Sequence, residues 1–188
     1  MTMVSERWRL GVGLALVGLF KLWLAASLGV MADEAYHWVW GQHPAFGYFD
    51  QPPLIAWFLA GVEIGSAPII LRAGPILFAL TGIVALVSQS SDRALAVVWC
   101  CGLPPLFWMT QLAVPDTLLI GGWAWALAGA LAGGPGLLVA GVGAGLAGLA
   151  KPTAWGLLPL IGLALSATER RSAWFWSGVA ANVALLVP

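Results

Sequence analysis

The 188-residue chain is 61% hydrophobic and only 9% charged, whereas an average soluble domain has about 25% charged residues. Eight basic and eight acidic residues give no net charge, so the basic footprint of a nucleic-acid-binding protein is absent. Cys100 and Cys101 are adjacent in an apolar run, which excludes a disulfide framework and a spaced metal-binding motif. The composition predicts a membrane protein with no nucleic-acid partner.

The first apolar stretch, Leu10 to Val30, is long enough for an α-helix to cross a hydrocarbon core of about 30 Å. It follows the charged residues Glu6, Arg7 and Arg9. It is longer than the apolar region of a secretory signal and contains only a poor cleavage site. We therefore predict a first membrane-spanning helix.

Residues 31–67 differ from the rest of the chain because acidic, aromatic and proline residues gather there. The segment is too polar at its start to span a membrane and too aromatic to be a flexible linker. It is predicted to be a folded outer loop at the membrane interface. Within it, Glu34 to Trp40 and Leu54 to Ile64 are expected to form short helices along the membrane, the second opened by Pro52 and Pro53.

Three further apolar segments follow the outer loop. They are Pro68 to Val87, Ala94 to Gln111 with a bend at Pro104-Pro105, and Asp116 to Ala132, with a polar turn from Ser88 to Arg93 after the first of them. Each is predicted to span the membrane, and proline is the expected cause of the bend.

Residues 137–167 are interpreted as two arms broken at Lys151-Pro152, because one continuous helix would be about 46 Å long. With two arms, five of the eight basic residues lie on the cytoplasmic side, as the positive-inside rule requires. A seventh span then runs from Ala173 to Pro188. The sequence predicts an all-α polytopic bundle of about seven spans, with residues 1–188 forming a single membrane domain.

This threading places eight ionisable side chains at one membrane face, although they come from distant loops. We expect them to form one site; they are Asp33, Glu34, His37, His43, Asp50, Arg72, Asp116 and Lys151. The opposite face keeps mainly arginines in turns, which the positive-inside rule explains without any function.

Structural interpretations compete with this hypothesis. Asp33 and Asp116 stand where they could cap the helices that follow them, and Arg72 could extend towards lipid headgroups. A hydrogen bond between His37 and Asp33 would serve stability as well as catalysis. For Lys151 a functional role is favoured, because an ionisable residue at a helix break inside the membrane marks a functional site by default.

Two other patterns have structural explanations. Two histidines among scattered carboxylates do not make a metal motif. The run Gly141-x-Gly143-x-Gly145-x-x-Gly148 follows no strand, so it predicts a close helix-packing face rather than a phosphate-binding loop.

The outer loop contains two stretches, DEAYHWVW from Asp33 and GYFDQPPLIA from Gly47. Following a first span, they resemble the first outer loop of GT-C glycosyltransferases. The similar proteins are bacterial relatives of dolichyl-phosphate-mannose protein mannosyltransferases, including lipid A aminoarabinose transferases and rhizobial lipopolysaccharide core transferases. The similarity continues at Arg72, at Pro115-Asp116-Thr117 and from Gly145 to Thr153, and so covers nearly the whole chain.

The resemblance implies an inverting glycosyltransferase of the bacterial inner membrane, with its active site facing the periplasm. Its donor would be a sugar on a polyprenyl phosphate, and its acceptor a lipid, a glycan or a protein. Asp33 would be the general base, and Glu34 and Asp116 would shape the acceptor side or support Asp33. Such a reaction needs no nucleotide-binding loop; the resemblance names no certain cofactor, and a divalent cation bridging the carboxylates stays open.

The same resemblance implies that Lys151 and Arg72 hold the lipid phosphate. Gln51 stands where such enzymes often have a basic or histidine side chain, and it can donate a hydrogen bond without charge. The remaining loop residues expected near the acceptor are Tyr36, His37, Tyr48 and Asp50.

A rival hypothesis is a truncated, non-catalytic membrane module that binds polyprenyl phosphate or scaffolds a partner. Full-length relatives carry more spans, so the resemblance implies further helices after Pro188, in a longer chain or in a partner. A third hypothesis is a small transporter built around Lys151. An inverted-repeat transporter should have two corresponding broken segments, however, and the sequence has one.

Overall fold

The computed structural model describes residues 3–63 and 65–186. Within these ranges the chain forms eleven α-helices and one 3₁₀ helix, with no β-strand, which confirms the predicted all-α class. The elements are α1 (Met3–Ser27), α2 (Ala32–Gly41), α3 (Leu54–Leu59), α4 (Pro68–Ser88), α5 (Arg93–Gly102), α6 (Pro104–Met109), α7 (Pro115–Ala132), α8 (Gly136–Ala150), the 3₁₀ helix Pro152–Gly156, α9 (Leu157–Ala164), α10 (Ala167–Arg170) and α11 (Ala173–Leu186).

Two breaks that the sequence predicted at prolines are present in the structure. The predicted third span is divided at Leu103 into α5 and α6, because two prolines begin a new helix instead of bending the old one. The break after α8 is confirmed: Lys151 has extended backbone angles, and Pro152 starts the 3₁₀ helix. The second loop helix, α3, is shorter than predicted, and residue 64 lies outside the described residues.

Among the described helices, α4 is by length and hydropathy the one able to cross a membrane by itself. A second crossing is possible if Gly11–Ser27 and Ala32–Gly41, bent by 88° at their junction, count as one broken span. Several other apolar helices are shorter, including α5 and α8. The arrangement of about seven spans therefore stays a prediction.

The long helices pack in chain order, with α1 on α4, α4 on α7, α7 on α8, and α8 on α11. Glycine lies at three of these contacts. A methyl group on Gly121 would meet Phe78 and Ala79 of α4, and one on Gly122 would meet Ala147 of α8. The predicted packing role of the glycine run is confirmed at Gly141, which touches α11, because helices approach this closely only where side chains are minimal.

The outer loop is held against the ends of the long helices by α3. Leu54, Ile55 and Leu59 are buried in a cluster that also contains Leu118 of α7 and Leu149 of α8. The apolar side chains of this helix are therefore buried within the protein, and its predicted position along the membrane stays a prediction. This packing places the loop beside the start of α7 and the end of α8.

Gly141→Ala tests the contact between α8 and α11. The added methyl group meets the backbone of Gly178, which cannot move aside, so we expect a loss of about 1–3 kcal/mol of stability. The measurement is the thermal unfolding midpoint of the detergent-solubilised protein. Gly156→Ala is the control, since no atom lies within 4 Å of its new methyl group, and equal shifts in both variants would contradict the assigned packing.

Candidate active site

A cavity of about 400 Å³ lies between the outer loop, the α6–α7 connection and the end of α8. One wall is polar and comes mainly from the loop, and the other is largely apolar and comes from α6 and the residues after it. The lining residues are Asp33, Tyr36, His37, Asp50, Gln51, Trp108, Met109, Leu112, Val114, Pro115, Asp116 and Lys151.

Seven of the ten side chains predicted for the site line this cavity, and Asp33, Asp116 and Lys151 open onto it together. The expected convergence of distant residues is therefore present in the structure, whereas the chemical roles of these residues stay predictions. Glu34, Arg72 and Tyr48 are absent from the cavity wall.

Asp116 and Lys151, which both line the cavity, form an ion pair. The Lys151 ammonium donates to both carboxylate oxygens of Asp116, at 2.7 and 2.8 Å. The side chains are 30% and 27% exposed, so the pair is reachable from the cavity. Asp116 lies in the first turn of α7, where the positive end of the helix also favours a carboxylate. The Lys151 ammonium is thus paired with Asp116.

Arg72 and Glu34 form a second ion pair that is completely buried. Arg72 donates from Nε to Glu34 Oε1 at 2.7 Å and from Nη2 to Oε2 at 2.5 Å. Its remaining donors reach the carbonyls of Ala25, Leu28 and Gly29 at the end of α1, at 2.7–2.8 Å. All five guanidinium N–H groups are therefore used, and the carbonyls that a helix end leaves unpaired are satisfied.

Glu34 connects this pair to two further segments. Its carboxylate accepts hydrogen bonds from the backbone N–H groups of Met31, at 3.0 Å, and Ala113, at 2.8 Å. Burial acts to raise the pKa of Glu34, but the hydrogen bonds from Arg72, Ala113 and Met31 outweigh it, and the pKa lies below its ordinary value. The ionised Glu34 and Arg72 thus hold the end of α1, the start of α2 and the α6–α7 connection together, without direct access to a substrate.

Tyr48 belongs to the internal structure of the loop. Its ring stacks on Trp40 with centroids 4.5 Å apart. Its hydroxyl accepts a hydrogen bond from the Ala45 N–H and lies 2.9 Å from the His43 carbonyl oxygen. These contacts shape the loop, and Tyr48 does not line the cavity.

Tyr36 and His37 face the cavity from α2. The Tyr36 hydroxyl donates to Asp50 at 3.4 Å, which joins the helix to the loop. His37 is 7% exposed, and burial lowers its pKa although Asp33, Asp50 and Asp116 act in the opposite direction, so the ring is neutral at pH 7. Within the described ranges, neither its Nδ1 nor the buried Gln51 Oε1 has a hydrogen-bond partner.

In the part of the chain that the structure describes, no group of three or more His, Cys, Asp or Glu side chains is arranged to hold a metal ion. The carboxylates of Asp33, Asp50 and Asp116 share the cavity wall without such an arrangement. These residues therefore offer no metal-binding arrangement for the divalent cation considered above.

Sequence reasoning overlooked Lys21 of α1, which is 1% exposed and hydrogen-bonded to the segment that lines the apolar wall. It is the one charged residue within the first apolar stretch. That position was a usable signal, because an ionisable side chain inside an apolar span has to find a partner in the protein interior.

One partial similarity to a characterised protein supports a class of activity. Over 52 residues the chain is 40% identical to the lipid A galacturonosyltransferase RgtD of Rhizobium johnstonii. The match covers 25% of this chain and 11% of that protein, so the similarity spans about a tenth of the relative's length. No family model matches the chain, and no solved structure matches it. The similarity points to a glycosyltransferase and is too short to show the specific family.

Arg72→Leu tests whether the buried ion pair holds the fold. The variant leaves the buried Glu34 carboxylate without its cation and three carbonyls at the end of α1 without their side-chain donor, so we expect a loss of about 3–5 kcal/mol of stability, measured as the thermal unfolding midpoint in detergent. Arg72→Lys keeps the charge but not the planar five-donor geometry and should recover only part of the loss. Arg171→Leu, at an exposed position, is the control; an Arg72→Leu midpoint equal to that of the control would rule out the assigned role.

Proposed function

We propose that this protein is a GT-C type membrane glycosyltransferase that moves a sugar from a polyprenyl phosphate to a lipid, glycan or protein acceptor. The observation that carries the proposal is the shared cavity, in which the Asp33 carboxylate and the Asp116–Lys151 ion pair face the same space. The partial similarity to a lipid A galacturonosyltransferase supports sugar transfer and favours a lipid acceptor. Cofactor chemistry is not needed for this reaction.

Asp33 is the general base of the proposed reaction. Its neighbour Glu34 accepts the hydrogen bond from Met31 N–H at the start of α2, so helix capping does not occupy the Asp33 carboxylate. Asp33 takes the proton of the acceptor hydroxyl while the hydroxyl oxygen bonds to the anomeric carbon. The bond from that carbon to the phosphate oxygen breaks, the electron pair leaves with the phosphate, and the anomeric configuration inverts.

Lys151 stabilises the departing phosphate. An ammonium carries three N–H donors, and two hydrogen bonds to Asp116 leave one for a phosphate oxygen that gains charge as the bond breaks. Asp116 is then a positioning residue for Lys151, and Gln51 contributes an uncharged contact at the donor side. Tyr36, His37 and Asp50 form the acceptor side of the cavity.

In this proposal the Glu34–Arg72 pair positions other residues. The resemblance had implied that Arg72 binds the lipid phosphate and that Glu34 shapes the acceptor side or supports Asp33. It holds the first turn of α2, which carries Asp33, against the chain just before Asp116, since Glu34 binds the Ala113 N–H. The distance between the base and the phosphate-binding lysine is thereby set by a buried ion pair that substrate does not disturb.

The cavity faces the periplasm in the proposed topology, and the chain is a multi-pass inner-membrane protein of about seven spans. The outer loop supplies five of the lining side chains, and the arginines in the turns at 93 and 170–171 lie on the cytoplasmic side. A lipid-linked donor reaches such a cavity from the outer leaflet.

Asp33→Asn tests the catalytic proposal. In membranes supplied with polyprenyl-phosphate sugar and an acceptor extract, the variant should lose about 10²–10⁴-fold in transfer rate, the usual contribution of a general base, while donor binding is retained. Asp92→Asn is the control, because Asp92 caps α5 through its side-chain oxygen and asparagine caps equally well. Transfer at the parental rate in Asp33→Asn would refute the role of base; donor binding without transfer by the parent chain would favour a non-catalytic binding module.

The proposed topology predicts opposite labelling of Ser91 and Thr153, both exposed. Each is replaced by cysteine in a chain whose Cys100 and Cys101 are alanine, and intact cells are treated with a membrane-impermeant thiol reagent. Thr153→Cys should react from outside, and Ser91→Cys only after permeabilisation. The reverse pattern would place the cavity on the cytoplasmic side and remove the support for a periplasmic reaction.

A further inference from the structure

Lys21 is a buried cation that the proposed reaction does not use. It lies on α1 with 1% of its surface exposed. Its ammonium donates to the carbonyl oxygens of Phe107 at 2.8 Å and Thr110 at 3.3 Å and to Gln111 Oε1 at 3.4 Å. The ammonium also lies 4.2 Å from the centre of the Phe107 ring, where the negative face of the ring attracts a cation.

The partners of Lys21 explain why a lysine stands in an apolar helix. Phe107 and Thr110 lie at the end of α6, where the last carbonyls have no helical N–H partner and the helix end is partially negative. Gln111, which is fully buried, returns a hydrogen bond from Nε2 to the Lys21 carbonyl oxygen at 2.7 Å. Side-chain-to-backbone hydrogen bonds therefore run in both directions between α1 and the α6–α7 connection.

The segment held by Lys21 is the apolar wall of the cavity. Trp108, Met109 and Leu112 line the cavity. They lie in the same six-residue segment as the three residues that Lys21 binds. The same segment is attached on its other side by Thr117, whose hydroxyl lies within hydrogen-bond distance of the Met109 and Leu112 carbonyls. A change at Lys21 is thus transmitted to the cavity although Lys21 itself is not part of its lining.

We propose that Lys21 is a positioning residue that sets the apolar wall of the cavity from within α1. The inference rests on the proposed function for the meaning of the cavity, but the position of the wall is measurable without any substrate. Loss of the ammonium removes the donor to three acceptors at the end of α6, of which the Phe107 carbonyl keeps a hydrogen bond from the Thr110 hydroxyl at 3.3 Å. The cost of the buried acceptors that are left unpaired is relieved by movement of residues 107–112 away from α1. The wall then opens locally while the Glu34–Arg72 ion pair still holds Ala113.

The test measures how fast a thiol on the wall reacts. Leu112→Cys is the probe, in a chain whose Cys100 and Cys101 are alanine, and labelling by a small maleimide is followed in detergent without substrate. Addition of Lys21→Met, which keeps an unbranched side chain one atom shorter and removes its donors, should raise the labelling rate about fivefold or more. This factor corresponds to a loss of about 1 kcal/mol of local stability. Asp50→Cys, on the loop side of the cavity, should react at an unchanged rate.

Two further variants keep the test decisive. Lys21→Arg retains the charge and the donors and should return the Leu112→Cys rate towards that of the parent, and Leu19→Met, on the exposed face of α1, is the matched control with no effect. If Lys21→Met does not accumulate, Gln111→Leu is used instead. It removes one acceptor of the Lys21 ammonium and the donor to the Lys21 carbonyl oxygen, and it should raise the rate in the same direction by a smaller factor.

Three results would overturn the inference. The first is an unchanged labelling rate of Leu112→Cys in a folded Lys21→Met or Gln111→Leu chain. The second is an equal rise in the labelling rate of Asp50→Cys, which would mean that the protein loosens as a whole. The third is a Leu112→Cys labelling rate in Lys21→Arg that is as high as in Lys21→Met. Failure of the proposed function gives a different pattern: the labelling differences persist, and sugar transfer is absent from the parent chain.

Discussion

The buried ion pair between Glu34 and Arg72 is the interaction on which the candidate site depends. Removing two charges from water is costly, and the cost is offset only where every donor and acceptor of the pair is satisfied. Here the guanidinium uses all five N–H groups, and the carboxylate also binds the backbone of Met31 and Ala113. Because those contacts come from the end of α1, the start of α2 and the α6–α7 connection, one ion pair fixes the relative positions of three segments.

The charges around the cavity divide into structural and exposed groups. The Glu34–Arg72 pair is neutral as a whole and hidden, whereas Asp33, Asp116 and Lys151 open onto the cavity. A base acts only where its carboxylate can reach a substrate hydroxyl, and a cation stabilises a leaving phosphate only where it is accessible. In the proposed function, burial therefore separates the residues that build the site from those that carry out transfer, although the sequence predicted all five at one site.

Lys21 shows why the burial of a charged side chain was harder to predict than its position along a helix. Its position inside an apolar helix indicated that it needed an interior partner, but the carbonyls it binds lie about 90 residues further along the chain. The sequence likewise did not indicate the interior partner of Arg72, whose side chain could equally have extended to lipid headgroups. Topology predicts which end of a helix a side chain lies near, whereas the packing of α1 against α4 and α6 decides whether that side chain is exposed or buried.

The amino-acid sequence by itself determined the helical class, the folded outer loop and the helix break at Lys151, because hydropathy, aromatic content and proline act locally on the chain. It also indicated that Asp33, Asp116 and Lys151 belong together, since helix reversals bring their loops to one end. Only the tertiary structure decided that Lys151 pairs with Asp116 and Arg72 with Glu34. Ion pairing depends on distances of a few ångströms between segments distant in sequence, and those distances are set by close helix contacts such as the one at Gly141.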